Sequence, residues 1–384
     1  MKFIDLFCGI GGFHQALTKL GHQCVFACDI NKSCRETYEK NYGITPEGDI
    51  KKIKAKNIPS FDILCAGFPC QPFSKAGFQK GFEDERGNLF YYICKIVKHH
   101  RPKYLLMENV RNLATHDNGN TWVVISKLIE YLGYKTYEKP VILNVLHFDV
   151  PQFRERVVIM CQRNDLGDLP VLPRIPKRSE IVLTKSVKDL VIEGESMPLN
   201  EKMETTAAVW DEFIQLLKPN NVPKFPIWTD WWDSDPPEAF YTKYKNWIDK
   251  NRAFYNENRE LLEGWLKRSR DKPKWKGAVR KFEWQAGELR PDDTMNTVIW
   301  TARGSGIRVK RPDYIPALVA MSMIPVYEGR KLTPKELLGF QSFRPDFQYD
   351  DKKIYTQLGN AVNVEMIYKC AEFLMHGGQL LESV

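Results

Sequence analysis

Hydrophobic positions in the first 165 residues alternate between two periods. Short apolar runs at 3–7 and 24–28 are typical of buried strands, whereas apolar residues at 13, 16, 17 and 20 recur at helical spacing. The same reading predicts strands at 61–66, 104–107, 141–146 and 156–162, and helices at 34–42, 89–97 and 122–132. This alternation predicts an α/β fold: a mostly parallel, Rossmann-like sheet with helices on both faces and an antiparallel edge formed by the last two strands.

The pattern changes after about residue 170. Nine of the ten tryptophans lie between Trp210 and Trp300. An amphipathic helix is predicted over 240–267, and a basic run from 267 to 281 contains a single acid, Asp271. We therefore predict a second, smaller and irregular domain. The predicted segments are a first domain over 1–170, a second domain over 171–345, and a C-terminal segment over 346–384 that returns to the first.

Composition and charge limit the classes of protein to which this chain can belong. The 384 residues are 43% hydrophobic and 27% charged, which excludes general disorder. The net charge of +8 permits a polyanionic partner without requiring one. No apolar run approaches the roughly 18 residues of a membrane span, and Asp5 interrupts any signal-like start, so we expect a cytoplasmic protein. The nine cysteines have no zinc-type spacing, which favours reduced, buried thiols and no metal.

The first βα turn is glycine-rich. Gly9, Gly11 and Gly12 follow the first strand, and glycines there let a backbone approach a nucleotide closely. Asp29 ends the second strand, where a carboxylate can accept hydrogen bonds from ribose hydroxyls, and Asp49 could bind an adenine amino group. The turn lacks the full dinucleotide spacing, which argues against NAD. The alternative is a tight turn needed only for packing.

A cysteine between two prolines follows the strand at 61–66. Cys70 would therefore be presented on a stiff loop at the carboxyl edge of the sheet, where open α/β folds bind ligands. A nucleophilic thiolate there would need a positive environment, because a free thiol has a pKa near 8.5. The alternative, a buried structural cysteine, suits Cys65 on the strand itself better.

Charged residues end the neighbouring strands. Glu108 follows the strand at 104–107, at the same sheet edge as Cys70. Arg154 and Arg156 occupy alternate positions entering a strand and should point to the same side. The alternatives are an ordinary exposed glutamate and a surface ion-pair ladder with Glu155.

Taken together, these motifs resemble those of DNA (cytosine-5) methyltransferases of the bacterial and phage restriction–modification type. The matching segments, in the order of the family, are 3–12, 67–74 (Gly-Phe-Pro-Cys-Gln-Pro-Phe-Ser), 108–110 (Glu-Asn-Val), 152–156 (Gln-x-Arg-x-Arg), 330–336 and 357–362. They span nearly the whole chain, and the region between about 165 and 310 corresponds to the variable target-recognition region of the family. One departure is Phe343-Arg344-Pro345-Asp346, where a Phe-Pro-Asp run is more usual.

The resemblance implies a mechanism and a set of site residues. A Cys70 thiolate would add to carbon 6 of a flipped-out cytosine, Glu108 would stabilise ring nitrogen 3, and Arg156 with Arg154 would hold the carbonyl oxygen. The residues implied to bind S-adenosylmethionine are Phe7, Gly9, Gly11, Gly12, Asp29, Ile30, Asp49, Ile50, Phe68, Leu89, Asn360 and Val362. Those expected to contact DNA are Gln71, Ser74, Lys75, Arg303, Arg308, Lys272, Lys274 and Lys276, and 75–86 is a candidate lid.

The implied substrate is double-stranded DNA, and the implied setting is a monomer that acts separately from a cognate restriction endonuclease, without a membrane. Three other interpretations fit the sequence less well. An RNA cytosine methyltransferase of this family typically carries Cys-Phe-Thr, which the chain lacks. An inactive DNA-binding relative would usually have lost Cys70, Glu108 or Arg156, and a dehydrogenase has no use for the Pro-Cys-Gln loop. For any single lysine of the basic run, a solvated surface remains the alternative to a phosphate contact.

Overall fold

A computed structural model describes residues 1–69, 89–218, 222–320 and 323–381. The chain divides into two compact units. Unit 1 comprises Met1–Lys185, Ala317–Met321 and Leu337–Val384, and unit 2 comprises Ser186–Pro316 and Ser322–Glu336.

These boundaries differ from the predicted ones at 170/171 and 345/346. Residues 171–185 stay with unit 1 because hydrogen bonds attach them to it. The Thr184 amide donates to Asp149 Oδ1 at 2.7 Å, and a His147 ring nitrogen lies 3.1 Å from the Pro176 carbonyl. The chain returns to unit 1 at Leu337, before the predicted position, and Gln152 Nε2 donates to the Phe340 carbonyl at 2.6 Å.

Unit 1 is built on a seven-stranded sheet. Its strands are β1 (Lys2–Leu6), β2 (Gln23–Cys28), β3 (Ile63–Ala66), β4 (Tyr104–Val110), β5 (Tyr134–Thr136), β6 (Val141–Asn144) and β8 (Glu155–Arg163), with the short β7 (Gln152–Phe153) preceding β8. The order is β2-β1-β3-β4-β8-β5, and β6 also pairs with β8. The first four strands are parallel, whereas β5 and β6 run antiparallel to β8, as β4 does.

The described helices of unit 1 follow the predicted pattern. They are α1 (Gly12–Lys19), α2 (Lys32–Tyr42), α3 (Leu89–His100) and α4 (Asn120–Tyr131), and near the C-terminal end α9 (Ile354–Asn360) and α10 (Val364–His376). Asn31 caps α2 by accepting a hydrogen bond from the Ser33 amide at 2.9 Å. The predicted parallel sheet with an antiparallel edge is confirmed. The three-residue β5 was missed because so short a run carries no periodic signal.

Unit 2 contains a six-stranded sheet and three long helices. The strands of this sheet are β9 (Ile227–Trp228), β10 (Lys281–Trp284), β11 (Ile299–Arg303), β12 (Gly306–Lys310), β14 (Val326–Tyr327) and β15 (Arg330–Lys331), and the short β13 (Ile315–Pro316) is not part of it. The helices of unit 2 are α5 (Glu201–Leu217), α6 (Glu238–Glu257) and α7 (Arg259–Arg270), and α8 (Pro334–Phe340) follows β15. The sheet order is β15-β14-β11-β12-β10-β9, in which only β10 and β12 are parallel among the described pairs.

The prediction of one continuous helix over 240–267 is wrong. Two helices occupy this stretch, and Asn258, with φ −114° and ψ 22°, separates them. The amide of Asn258 still bonds to the Phe254 carbonyl at 3.2 Å, but its backbone leaves the helical region. Asparagine is suited to a helix end because its side chain competes for local backbone hydrogen bonds; here Nδ2 donates to the same Phe254 carbonyl.

The core of unit 2 is aromatic. Trp210, Trp265, Trp275 and Trp300 are at most 1% exposed. The Trp210 ring stacks on Phe282 with centroids 4.3 Å apart, and its Nε1 donates to the Val279 carbonyl at 2.8 Å. Large aromatic rings bury much apolar area with few rotatable bonds. They give this irregular unit a packed interior. In the described part of the chain, no helix is long and apolar enough to cross a membrane.

Candidate active site

The glycine turn between β1 and α1 is held from two sides. Gly11 has φ +87°, and a Cβ added there would lie 2.2 Å from Cε2 of Tyr42. A Cβ on Gly12 would lie 2.6 Å from Cγ2 of Val362. Both distances are shorter than any real contact. The two glycines are therefore required because α2 and the C-terminal segment press against the turn.

Tyr42 supports the turn through its hydroxyl and its ring. The hydroxyl donates to the Gly11 carbonyl at 2.9 Å, and the ring stacks on His14 with centroids 3.9 Å apart. His14 Nδ1 lies 2.7 Å from the Tyr38 hydroxyl. Burial, with a smaller contribution from Arg344, lowers the pKa of His14 to about 4, so the ring is neutral at pH 7.

Asp29, at the end of β2, lies beside the turn. Its Oδ2 accepts a hydrogen bond from the Gly9 amide at 2.8 Å, and Oδ1 accepts one from the Asn31 amide at 2.7 Å. Burial raises the pKa of Asp29, and the two amides partly oppose that rise. Each carboxylate oxygen has a second lone pair. The side chain can therefore accept further hydrogen bonds from a ligand.

A cavity of about 590 Å³ opens at the carboxyl edge of the parallel strands. Most of the residues predicted to bind cofactor line it, together with the predicted catalytic residues Glu108, Arg154 and Arg156. The predicted cofactor residues in this lining are Phe7, Gly9, Asp29, Ile30, Asp49, Ile50, Phe68, Leu89 and Asn360. Gly11, Gly12 and Val362 do not line it: they pack behind the turn and shape it from the back.

Glu108 and Arg156 form a buried ion pair in this cavity. Arg156 Nε lies 2.7 Å from Glu108 Oε1, and the two side chains are 13% and 9% exposed. β4 and β8 bring them together, because Glu108 on β4 pairs with Val158, two residues after Arg156 on β8. Burial raises the pKa of Glu108, although Arg156 and Arg154 act to lower it. The carboxyl is thus more easily protonated than a surface glutamate.

Arg154 and Arg156 both border the cavity, as the sequence predicted, but they have different partners. Arg154 is 1% exposed. Its guanidinium donates to the Leu318 carbonyl at 2.7 Å, to that of Ala361 at 2.6 Å and to that of Gly359 at 3.2 Å. These donors hold carbonyl groups of two other segments of the chain, and the contact of Arg154 with substrate stays a prediction. The signal was hidden, because the acceptors lie more than 160 residues away in sequence.

Asn109 is a residue that the sequence reasoning missed. Its Nδ2 donates to the Phe68 carbonyl at 2.8 Å, and it is 2% exposed. The amide thus holds the end of the chain segment that leads toward Cys70. Its place directly after Glu108 in the Glu-Asn-Val motif was the available signal. Cys70, Gln71, Ser74, Lys75 and the candidate lid at 75–86 lie outside the described residues.

The other eight cysteines are all buried and free. Burial raises the pKa of each of them; for Cys24, Cys28, Cys34 and Cys161 it rises to about 12. A buried thiol with so high a pKa is protonated and unreactive at pH 7. The expectation that Cys65 is structural agrees with its complete burial on β3. Among residues 1–69, 89–218, 222–320 and 323–381, no group of three His, Cys, Asp or Glu could hold a metal ion.

In the basic run of unit 2, fewer charged side chains are unpaired than the sequence suggested. Its arginines and one lysine pair with acids from distant parts of the chain. The pairs are Arg268 with Glu212, Arg270 with Asp233 at 2.6 Å, Lys274 with Glu201 at 3.3 Å, and Arg280 with Asp230 at 2.8 Å. Asp271 is the one acid within the run, and the acids that neutralise these side chains come from outside it. Lys272 and Lys276 are exposed, and their contact with DNA stays a prediction.

Of the two other predicted DNA contacts in unit 2, Arg308 pairs with Glu283 at 2.8 Å. Arg303 Nε donates to the Thr301 hydroxyl at 3.1 Å. Both arginines are half-buried on the β11–β12 hairpin. Neither is a freely mobile surface charge.

Comparison with known proteins identifies the family of this chain. The family model described as C-5 cytosine-specific DNA methylase matches residues 1–376. The chain belongs to this family, and the resemblance inferred from the motifs is confirmed.

Among curated proteins, the chain is 48% identical over 192 residues to the type II methyltransferase M.HhaI of Haemophilus parahaemolyticus, a match that covers 50% of this chain and 57% of that protein. It is 44% identical over 211 residues to the type II methyltransferase M.DsaV of Dactylococcopsis salina, covering 55% and 58%. The chain thus spans little more than half the length of these relatives.

Solved structures support the fold. The chain is similar to the crystal structure of the S. pombe Dnmt2 methyltransferase, with a TM-score of 0.53, 18% identity and coverage of 98% of this chain and 99% of that one. A Spodoptera frugiperda DNMT2 mutant matches with a TM-score of 0.54, 20% identity and the same coverage. The predicted Rossmann-like methyltransferase fold is confirmed.

Proposed function

We propose that this protein transfers a methyl group from S-adenosylmethionine to carbon 5 of a cytosine within a specific sequence of double-stranded DNA. The observation that carries the proposal is the buried Glu108–Arg156 pair, which borders the same cavity as Asp29 and the glycine turn. Family membership and the relatives named as type II methyltransferases support the same reaction.

The cavity fits the proposed cofactor. Asp29 offers acceptors suited to ribose hydroxyls, and Asp49 lies on the same lining. Ile30, which is 76% exposed, presents an apolar face to an adenine ring. When bound, S-adenosylmethionine supplies an electrophilic methyl group. The chain's own part is to hold the adenosine and to leave the side that contains Glu108 open to the base.

Cytosine carbon 5 is a poor nucleophile and needs activation. Addition of a Cys70 thiolate to carbon 6 forms an S–C6 bond and moves the ring's electrons toward nitrogen 3 and carbon 5. A protonated Glu108 can donate to nitrogen 3 as that charge develops, and burial shifts the pKa of Glu108 in the direction that favours this form. Arg156 can neutralise charge on the base's carbonyl oxygen. Carbon 5 would then take the methyl group, water would accept the proton that carbon 5 loses, and the S–C6 bond would break to restore the ring and return the Cys70 thiolate.

None of this chemistry can occur inside a base-paired stack, so the target cytosine must be flipped out of the duplex. We place the protein in a restriction–modification system in which a separate endonuclease cuts the unmodified sequence. We take a single chain as the acting unit, because every residue assigned a role lies within it.

The test uses a duplex that contains 5-fluorocytosine at the target position. Fluorine leaves no proton to be lost, so Cys70 stays bonded to the base. We expect a covalent protein–DNA adduct that survives denaturing electrophoresis and forms only with S-adenosylmethionine, and peptide mapping should place the link at Cys70. Cys70→Ala should abolish methylation while cofactor affinity changes only a few-fold.

The matched control is Cys70→Ser, which should give no adduct. An adduct mapped to Cys65 would overturn the assignment of the nucleophile. An adduct with fluorinated tRNA but none with duplex DNA would overturn the proposed substrate and favour RNA.

A further inference from the structure

Unit 2 contains a second cavity, of about 430 Å³, that the proposed reaction does not use. One side of it is aromatic: Trp228 on β9 and Phe240, Tyr244 and Trp247 on α6. The β-sheet contributes polar residues to its lining, Glu283 on β10 and Arg308 on β12, and we call these its polar side. We call this cavity the hairpin pocket, because the tip of the β11–β12 hairpin, at Ser305 and Gly306, borders it.

The side chains of the aromatic side are half-buried or exposed, in contrast to the buried tryptophans of the same unit. Tyr244 is 38% exposed, and its φ of −121° and ψ of 18° interrupt α6. The rings of Trp228 and Trp247 lie 5.0 Å apart, and those of Phe240 and Tyr244 lie 4.7 Å apart. A continuous aromatic surface that remains open is uncommon unless it binds something.

The polar side is fixed by the sheet. Glu283 and Arg308 are register partners on β10 and β12, and Arg308 Nε donates to Glu283 Oε2 at 2.8 Å. Lys281 Nζ lies 3.6 Å from the centre of the Trp228 ring. The hairpin comes this close only because residue 306 is glycine: a Cβ there would lie 2.6 Å from the Cβ of Lys281.

We propose that the hairpin pocket binds one unstacked guanine base of the DNA. This inference rests on the proposed function, since it takes DNA as the ligand. The aromatic rings would stack on the base, and every base has a face that stacks. Guanine also matches the polar side: O6 and N7 accept from an arginine, and N1–H and the 2-amino group donate to a carboxylate. Lys281 adds positive charge suited to the adjoining backbone phosphates.

The probe is a short single-stranded oligothymidine with one central guanine. It contains no cytosine, so the methylation site has no target base to hold. Binding to the full chain is measured by fluorescence anisotropy at fixed salt. Replacing the guanine with thymine should weaken binding, and Tyr244→Ala should weaken binding of the guanine strand roughly tenfold, as expected for the loss of one stacking ring.

The matched control is Tyr241→Ala on the same helix. Tyr241 does not line the pocket, and its hydroxyl bonds to Asp249 at 2.8 Å. Its strand affinity should equal that of the unaltered protein. Glu283→Gln should remove the preference for guanine over inosine, which lacks the 2-amino group. Thermal unfolding followed by circular dichroism shows whether each variant is folded.

Equal affinities for Tyr244→Ala and Tyr241→Ala, or equal affinities for guanine and thymine strands, would overturn the inference. Methylation of mixed-sequence duplex DNA by the unaltered protein is measured alongside. If that activity is present while Tyr244 has no effect on binding, only the hairpin pocket is wrongly assigned. If that activity is absent, the proposed function itself fails.

Discussion

The two units have interiors of different chemistry. In unit 1, ionisable side chains are buried beside the glycine turn and the cavity: Asp5, His14, Glu108 and Arg154 are all less than 9% exposed. In unit 2 the largest buried side chains are tryptophans. Its buried acids are matched by arginines of the same unit: Glu336 with Arg330 at 2.7 Å, and Asp293 with Arg311.

Burying a charged group costs several kcal/mol unless good partners offset the loss of water. In unit 1 the buried ionisable groups that incur this free-energy cost lie next to the cavity, where shifted pKa values are useful for chemistry. Unit 2 avoids much of it by packing aromatic rings. The interior of unit 1 thus contains the ionisable groups of the candidate site. The interior of unit 2 is a packed aromatic core that holds its surface residues in place.

The most severe test of this contrast between the two interiors is to remove a core tryptophan of unit 2. Trp210→Ala should lower the free energy of unfolding by about 3–5 kcal/mol, because it leaves a large cavity. It also removes the partner of the Val279 carbonyl. Denaturant unfolding measures the loss. Trp247→Ala, at a half-buried position, is the control and should cost clearly less; equal losses would refute the division between core and surface tryptophans.

His14 tests the polar interior of unit 1. Its pKa is about 4 in the folded chain and about 6.5 when unfolded, so the folded state resists protonation. The stability that the neutral ring confers is present above pH 6.5 and is lost as the pH falls to 4, by on the order of 3 kcal/mol. The difference in unfolding free energy between the unaltered chain and His14→Gln should therefore vary across this window. A constant difference would contradict the buried, neutral ring.

Asp29 tests the cofactor side of the cavity. Asp29→Ala should weaken binding of S-adenosylmethionine by about 1.5–3 kcal/mol, as expected for lost hydrogen bonds to a charged group. Isothermal calorimetry measures the dissociation constant. Asp168→Ala, whose side chain is 94% exposed and not part of the cavity lining, should leave affinity unchanged. An unaltered constant in Asp29→Ala would remove that residue from the binding site.

The smallest effect is expected from changing lysines of unit 2, and it is an effect on DNA binding. Changing Lys272, Lys274 and Lys276 to Gln should weaken binding to all duplexes alike and reduce the salt dependence, if these side chains meet phosphates. Because Lys274 already pairs with Glu201, the reduction should be less than three phosphate contacts would give. The control changes Lys188, Lys202 and Lys250, which are exposed and lie outside the run, to Gln. Identical salt slopes for both triple variants would assign the basic run to a solvated surface.

Local patterns predicted unit 1 well because its strands and helices alternate regularly and its motifs lie where strands end. The Glu108–Arg156 neighbourhood followed from that topology. The hydrogen-bond partners of Arg154 did not, because they come from distant residues that no local pattern connects to it. The same limit explains the basic run: Arg268 and Arg270 find their acids on other elements, at Glu212 and Asp233. The spacing of charged residues along the sequence does not show which residues they contact in the folded protein.

The contact between Gly12 and Val362 has a consequence for how the protein is made. The turn at the start of the chain is packed by a residue synthesised about 350 positions later, and α10 also packs on α1, with Lys19 Nζ 2.9 Å from Glu365. At ordinary ribosomal speeds, that delay is on the order of tens of seconds. Throughout that interval the nascent chain exposes the back of its glycine turn. The wall of the cavity formed by this turn can therefore take its final packing only after the segment around Val362 has left the ribosome.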